Sequence, residues 1–152
     1  MNNENAQTPE SQFAIQKIYV KDLSFETPNS PAIFMEQRRP EINVQLGSSA
    51  QNLDQQNFEV VVSITVTVKI EERTVYLAEV NQAGIFTITG LPEQQLDQML
   101  GAYCPNVLFP YAREVISDLV LRGGFPPLLL IPVNFEALYQ QRVQQQTPPV
   151  YA

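Results

Sequence analysis

The segment Phe58–Ile70 carries the strongest pattern in the chain. Phe58, Val60, Val62, Ile64, Val66, Val68 and Ile70 share one parity, and Glu59, Val61, Ser63, Thr65, Thr67 and Lys69 share the other. A period of two filled with β-branched residues predicts a half-buried strand. Glu71-Glu72-Arg73 can turn the chain into a second strand, Thr74–Asn81, and Gly84 and Gly90 bracket a short one, Ile85–Ile88. Upstream, Glu41–Leu46 alternates cleanly, with Ile42, Val44 and Leu46 against Glu41, Asn43 and Gln45. Phe13–Phe25 alternates imperfectly: Phe13, Ile15, Tyr19, Leu23 and Phe25 share one parity, and Asp22, Ser24 and Glu26 the other.

The period changes after Gly90. Pro92 suits a first helical turn, and Leu96, Met99, Leu100 and Tyr103 recur at helical spacing until Pro105 interrupts them. The main helix is expected from about Pro110 to Arg122, with Tyr111, Val115, Ile116 and Leu119 as its apolar stripe and Gly123-Gly124 as its stop. Pro126-Pro127 opens an apolar loop through Pro132, and Asn134 can cap a last helix, Phe135–Gln144. Strands first and helices later predict an α+β fold with an antiparallel sheet and helices on one face.

Length and composition narrow the class. A chain of 152 residues with 44% apolar content suits one folded domain. Polar, Asn-, Gln- and Pro-rich ends at residues 1–12 and 144–152 read as disordered tails around a domain at 13–143. The first twelve residues carry neither a basic cluster nor an apolar run, so they do not read as a signal peptide. No apolar stretch approaches the roughly 20 residues that span a bilayer, so no membrane insertion is expected. One cysteine cannot form an internal disulfide, and the expected location is the cytoplasm. Sixteen acidic against nine basic residues give a formal charge of −7, which argues against nucleic acid and anionic membranes and favours basic partners.

Catalytic chemistry is thin. There is no histidine, so the commonest general base and neutral metal ligand are missing. Cys104 has no histidine to activate it and reads as a small buried apolar residue. No Gly-rich phosphate loop and no EF-hand loop is present, and no cofactor or metal is expected. A carboxylate-only enzyme stays open as a rival class.

Two features call for explanation. Asp22, Glu26, Glu41, Glu59 and Glu79 all occupy polar-parity positions, and Leu77 shares the parity of Glu79. Such a face is either a solvated surface or a docking surface with Leu77 as apolar anchor. Thr74–Val80 is apolar on both faces, and Phe125–Val133 and Pro105–Tyr111 are apolar without regularity. That surplus is either core plus a dimer interface or an uncovered apolar surface for a partner.

Several blocks in order resemble one family. Leu100-Gly-Ala-Tyr-Cys-Pro-Asn-Val-Leu-Phe-Pro-Tyr-Ala-Arg-Glu114 is similar to the signature of the SecB protein-export chaperones, as are Tyr19-Val-Lys-Asp-Leu-Ser-Phe-Glu26, Glu79-Val-Asn-Gln-Ala-Gly-Ile-Phe86 and Pro132-Val-Asn-Phe135. The resemblance implies a four-stranded antiparallel sheet with helices on one face, assembling as a homotetramer, a dimer of dimers. It implies an ATP-independent holdase that binds unfolded preproteins and delivers them to the SecA ATPase. It places SecA contacts at Asp22, Glu26, Leu77 and Glu79, and client-polypeptide contacts at Ile42, Val44, Leu46, Tyr76, Ala78 and Val80 with Leu138 nearby. A SecB-like chaperone dedicated to one client, such as an antitoxin, is the alternative within the same family.

Overall fold

The structure is a computed structural model, and it describes residues 10–146. Four long antiparallel strands form one sheet: β1 (Gln12–Glu26), β2 (Glu41–Asn52), β3 (Asn57–Ile70) and β4 (Arg73–Thr89), in the spatial order β1-β4-β3-β2. A short 3₁₀ turn, Ala32–Met35, interrupts the connection between β1 and β2. Helix α1 (Glu93–Gln98) runs through a π-helical segment, Met99–Tyr103, into α2 (Cys104–Arg122), and α3 (Phe135–Gln146) closes the described chain. Strand β1 thus begins at Gln12 and α3 ends at Gln146. Residues 1–9 and 147–152 lie outside the described residues.

Two-residue periodicity makes the sheet two-sided. Phe58, Val60, Val62, Ile64, Val66, Val68 and Ile70 are all buried on the side that carries the helices. Their partners on β4 are Phe86, Gly84, Gln82, Val80, Ala78 and Tyr76, paired with Phe58 to Val68 in turn. Val61, Ser63, Thr65 and Thr67 point to the opposite side, which no helix among the described residues covers, here called the open face.

β4 is one strand of 17 residues, not the two expected. Gly84 stays inside it, and the reason is clearance. A Cβ there would lie 3.0 Å from a methyl of Leu108 and 3.1 Å from the backbone oxygen of Lys17. The missing side chain lets α2 settle onto the sheet.

β1 explains its own imperfect alternation. The register with β4 slips between Ile15 and Lys17 and again between Val20 and Asp22. Each bulge adds a residue and reverses the parity. Phe13, Ile15, Ile18, Val20, Leu23 and Phe25 thus share the helix side, opposite Ile88, Phe86, Gly84, Gln82, Val80 and Ala78. Tyr19 belongs to the open face, contrary to the simple parity reading.

The main helix also differs from expectation. Pro105 does not interrupt it; the helical path is continuous from Glu93 to Arg122, and the wider π segment, Met99–Tyr103, ends two residues before Pro105. That placement relaxes the crowding that a proline ring imposes on the carbonyl four residues earlier. The buried face carries Cys104, Leu108, Ala112, Ile116 and Val120 at four-residue spacing, with Pro105 and Phe109 buried beside them. Of the predicted stripe only Ile116 is in the core; Tyr111 is exposed and Val115 and Leu119 are half-buried. Gly124 ends the helix with φ of +87°. Its N–H bonds to the Leu121 carbonyl at 3.0 Å and that of Phe125 to the Val120 carbonyl at 3.2 Å. This paired closure needs a left-handed residue and turns Phe125 back toward the sheet.

Candidate functional site

The open face collects the acidic residues. β1 pairs with β4 so that Glu26 lies opposite Leu77, Ser24 opposite Glu79 and Asp22 opposite Asn81. The bulge at Lys21 is what carries Asp22 onto this face. Asp22, Glu26, Leu77 and Glu79 therefore occupy three successive rows of two neighbouring strands. Asp22 and Glu26 are exposed, and Leu77 and Glu79 are half-buried beside Thr67 and Thr65 of β3. Glu41 lies on the same side at the far edge, opposite Lys69.

Glu59 is a different case. It faces the same side but is only 8% exposed. Its carboxylate accepts a hydrogen bond from the Tyr19 hydroxyl and one from Lys21 Nζ at 2.8 Å. The Lys21 contact first, then the Tyr19 bond, holds the Glu59 carboxyl below the usual carboxylate range. Burial, together with the adjacent carboxylate, pushes the Tyr19 phenol up to about 12. Glu59 is thus an internal strut and not part of the exposed acidic surface that parity alone assigned it to.

The helix side is incompletely covered. Helix α2 lies over the central strands β3 and β4. At one edge it leaves Ile42, Val44 and Leu46 of β2 exposed to 52%, 38% and 37%. Leu138 of α3 is exposed close by, and with Phe135 and Arg142 it forms a cleft of about 280 Å³ against Leu46. A larger hollow of about 870 Å³ continues along β2 from Ser48 to Asn52, bounded by Leu100, Tyr139 and Val143. At the opposite edge Ile15, Val20 and Leu23 of β1 are also exposed on the helix side.

Tyr76, Ala78 and Val80 share this side but not this exposure. All three are buried in the core, out of reach of a polypeptide in this arrangement. Tyr76 instead anchors an aromatic cluster. Its ring lies 5.7 Å from that of Phe25 and 4.9 Å from that of Phe125, and Phe34 stacks on Phe125 at 5.0 Å. The cluster reaches the surface through Phe34, 48% exposed, beside the exposed Met35. Leu129 and Ile131 project nearby in sequence from the loop after α2. The apolar loop was visible in the sequence. Phe34 and Met35 were not singled out, because one apolar triplet, Ile33-Phe34-Met35, in an irregular segment has no period to read.

Cys104 is fully buried in α2, and burial pushes its thiol up to about 12, so it carries no thiolate near neutral pH. Among the described residues no helix is long and apolar enough to cross a membrane.

The profile of one family, preprotein translocase subunit SecB, matches residues 4–146. The chain belongs to the SecB family. The protein-export protein SecB of Methylococcus capsulatus is 61% identical over 98% of this chain and 97% of its own length. That of Nitrosococcus oceani is 58% identical over 93% of this chain and 90% of its own. Among solved structures, a SecB-like chaperone of Mycobacterium tuberculosis, in complex with a peptide from an antitoxin, has the same fold with a TM-score of 0.65. It is 21% identical, and the match covers 80% of this chain and 90% of that one.

Proposed function

We propose that this SecB-family chaperone holds unfolded preproteins on the helix side of its sheet and presents the open face to the SecA ATPase. The observation that carries the reading is the division of labour between the two faces. One face bears Ile42, Val44 and Leu46 uncovered at a strand edge, and the other bears Asp22, Glu26 and Glu79 around Leu77. An unfolded polypeptide exposes many apolar segments, whereas a folded one hides them. A surface with several uncovered apolar strips therefore gains affinity by multivalency and needs little sequence specificity. The free edge of β2 adds unpaired backbone groups beside the apolar strip. The acidic patch suits a basic element of SecA, with an encounter rate and affinity that fall with salt.

Holding requires no bond making, so the activity needs neither ATP nor a cofactor. Exposed Ile15, Val20 and Leu23 on β1 and exposed Tyr103, Tyr111 and Leu121 along the helices support assembly into a tetramer with helices at its centre. The cytoplasm is the compartment in which preproteins meet SecA.

The test is native mass spectrometry of the full chain with and without an acid-unfolded preprotein, coupled to an aggregation assay of that preprotein. Tetramers that take up unfolded but not folded chains and suppress aggregation are expected. Failure to bind any denatured protein would refute the holdase, and binding of one polypeptide among many would favour a dedicated chaperone.

A further inference from the structure

The connection from β1 to β2 has an unusual task. β1 and β2 are the two opposite edges of the sheet, so residues 27–40 must cross the end of the β3–β4 hairpin. The near half of this strap is tied by ordinary means. Thr27 Oγ1 donates to the Val75 carbonyl at 3.0 Å, Asn29 Nδ2 donates to the Thr74 carbonyl at 2.9 Å, and Ile33 is buried in the core.

The far half is tied by charge. Beyond Ile33 the backbone bonds of the strap are internal: Phe34 to Pro31 and Glu36 to Ile33. What joins it to the hairpin is a set of ion pairs. Arg38 grips Glu36 with two donors, Nε at 3.0 Å and Nη2 at 3.1 Å. Arg73 at the start of β4 donates to the same carboxylate, and Arg38 donates onward to Glu71 in the hairpin turn. The Glu36 side chain is only 20% exposed between the two guanidiniums. Two residues before it, across Met35, sits Phe34, stacked on Phe125 and 48% exposed.

We infer that the Glu36–Arg38–Arg73–Glu71 clip positions Phe34 as the outer wall of the aromatic cluster and thereby sets the affinity of that part of the helix side for unfolded polypeptide. This rests on the helix side being the client surface. A half-exposed phenylalanine on an irregular strap has no sheet register to fix it; stacking on Phe125 restrains one side, and the clip restrains the chain that follows. Without the clip, Phe34 must be ordered by each client as it binds, and that ordering cost weakens binding. Because the pairs are partly exposed, salt should loosen them.

The probe is a fluorescent, net-neutral peptide of alternating Leu or Phe with Ser or Gln, titrated against the full chain at about 0.1 M and about 1 M sodium chloride, where the Debye length falls from about 10 Å to about 3 Å. We expect Phe34→Ala and Glu36→Gln each to weaken binding about fivefold at low salt, Glu36→Asp to keep most of it, and the salt sensitivity of the parent to vanish in Glu36→Gln and in Arg73→Gln. Rescue by the shorter acid and loss of salt response are readouts that general destabilisation would not give. If Phe34→Ala weakens binding while Glu36→Gln and Arg73→Gln stay within about twofold, the clip is overturned. Tighter binding in Glu36→Gln also overturns it, since the strap would then be a cover. If Phe34→Ala has no effect but substitutions on β2 do, Phe34 is not a wall and the client surface stands. If neither set has an effect, the client surface itself is misassigned and the clip falls with it.

Discussion

Removing the apolar strip on β2 tests the client surface most directly. The perturbation is the triple substitution Ile42→Ser, Val44→Ser, Leu46→Ser. The three side chains lie on one side of an edge strand, opposite Val68, Val66 and Ile64. Fully burying one such side chain contributes about 1.5–3 kcal/mol. Their uncovered fractions of 52%, 38% and 37% amount to little more than one whole side chain left for a client to bury. Client burial there is therefore worth about 2–4 kcal/mol before ordering costs. Taking the lower end, the triple variant should lose about 2 kcal/mol, or about 30-fold in affinity, for a short peptide that occupies one strip. A short peptide is essential, because a long client compensates through its other segments. The assay is fluorescence anisotropy of that peptide, beside urea unfolding to confirm the fold. The buried fractions of the same side chains contribute to stability, so the unfolding midpoint should fall modestly while the transition stays cooperative. A folded triple variant with affinity within about twofold of the parent would refute the reasoning.

The remaining predictions concern the other face and the core. Glu79→Lys should weaken SecA binding about tenfold at low salt, with a smaller difference at high salt, while aggregation suppression stays intact; calorimetric titration against SecA checks it. Gly84→Val should destabilise the fold by about 1–3 kcal/mol in urea unfolding, because its first carbon already meets Leu108 and the Lys17 carbonyl. Glu59 has a depressed native pKa, so its contribution to stability is present above the usual carboxylate range and is lost as pH falls through the native value. Acid unfolding followed by circular dichroism should therefore be less steep in Glu59→Gln than in the parent.

The strand pattern made much of this molecule legible. A strict period of two in Phe58–Ile70 and Glu41–Leu46 survives into the structure because each side chain in a strand has only two sides to choose from. Parity therefore assigned Ile42, Val44 and Leu46 to the helix side and Glu79 and Leu77 to the open face without coordinates. Parity fails wherever a residue is inserted. The bulges in β1 moved Tyr19 to the open face, and nothing in Phe13–Phe25 marks where the extra residues fall, since bulge positions depend on the partner strand.

Burial depth was beyond the reach of local pattern. Tyr76, Ala78 and Val80 lie on the side expected of them, yet α2 and the aromatic residues Phe25 and Phe125 cover them, while Ile42, Val44 and Leu46 on the same side remain open. Glu59 has the same parity as Glu79, yet Tyr19 and Lys21 reach across from β1 and bury it. Gly84 looks like a strand break until α2 is laid over it. The sequence by itself determined which residues can form strands and helices, which side of a regular strand each side chain faces, and, through several blocks in order, the family. Tertiary structure alone decided which positions are covered, because coverage depends on what packs from distant parts of the chain, and that is not encoded in any local period.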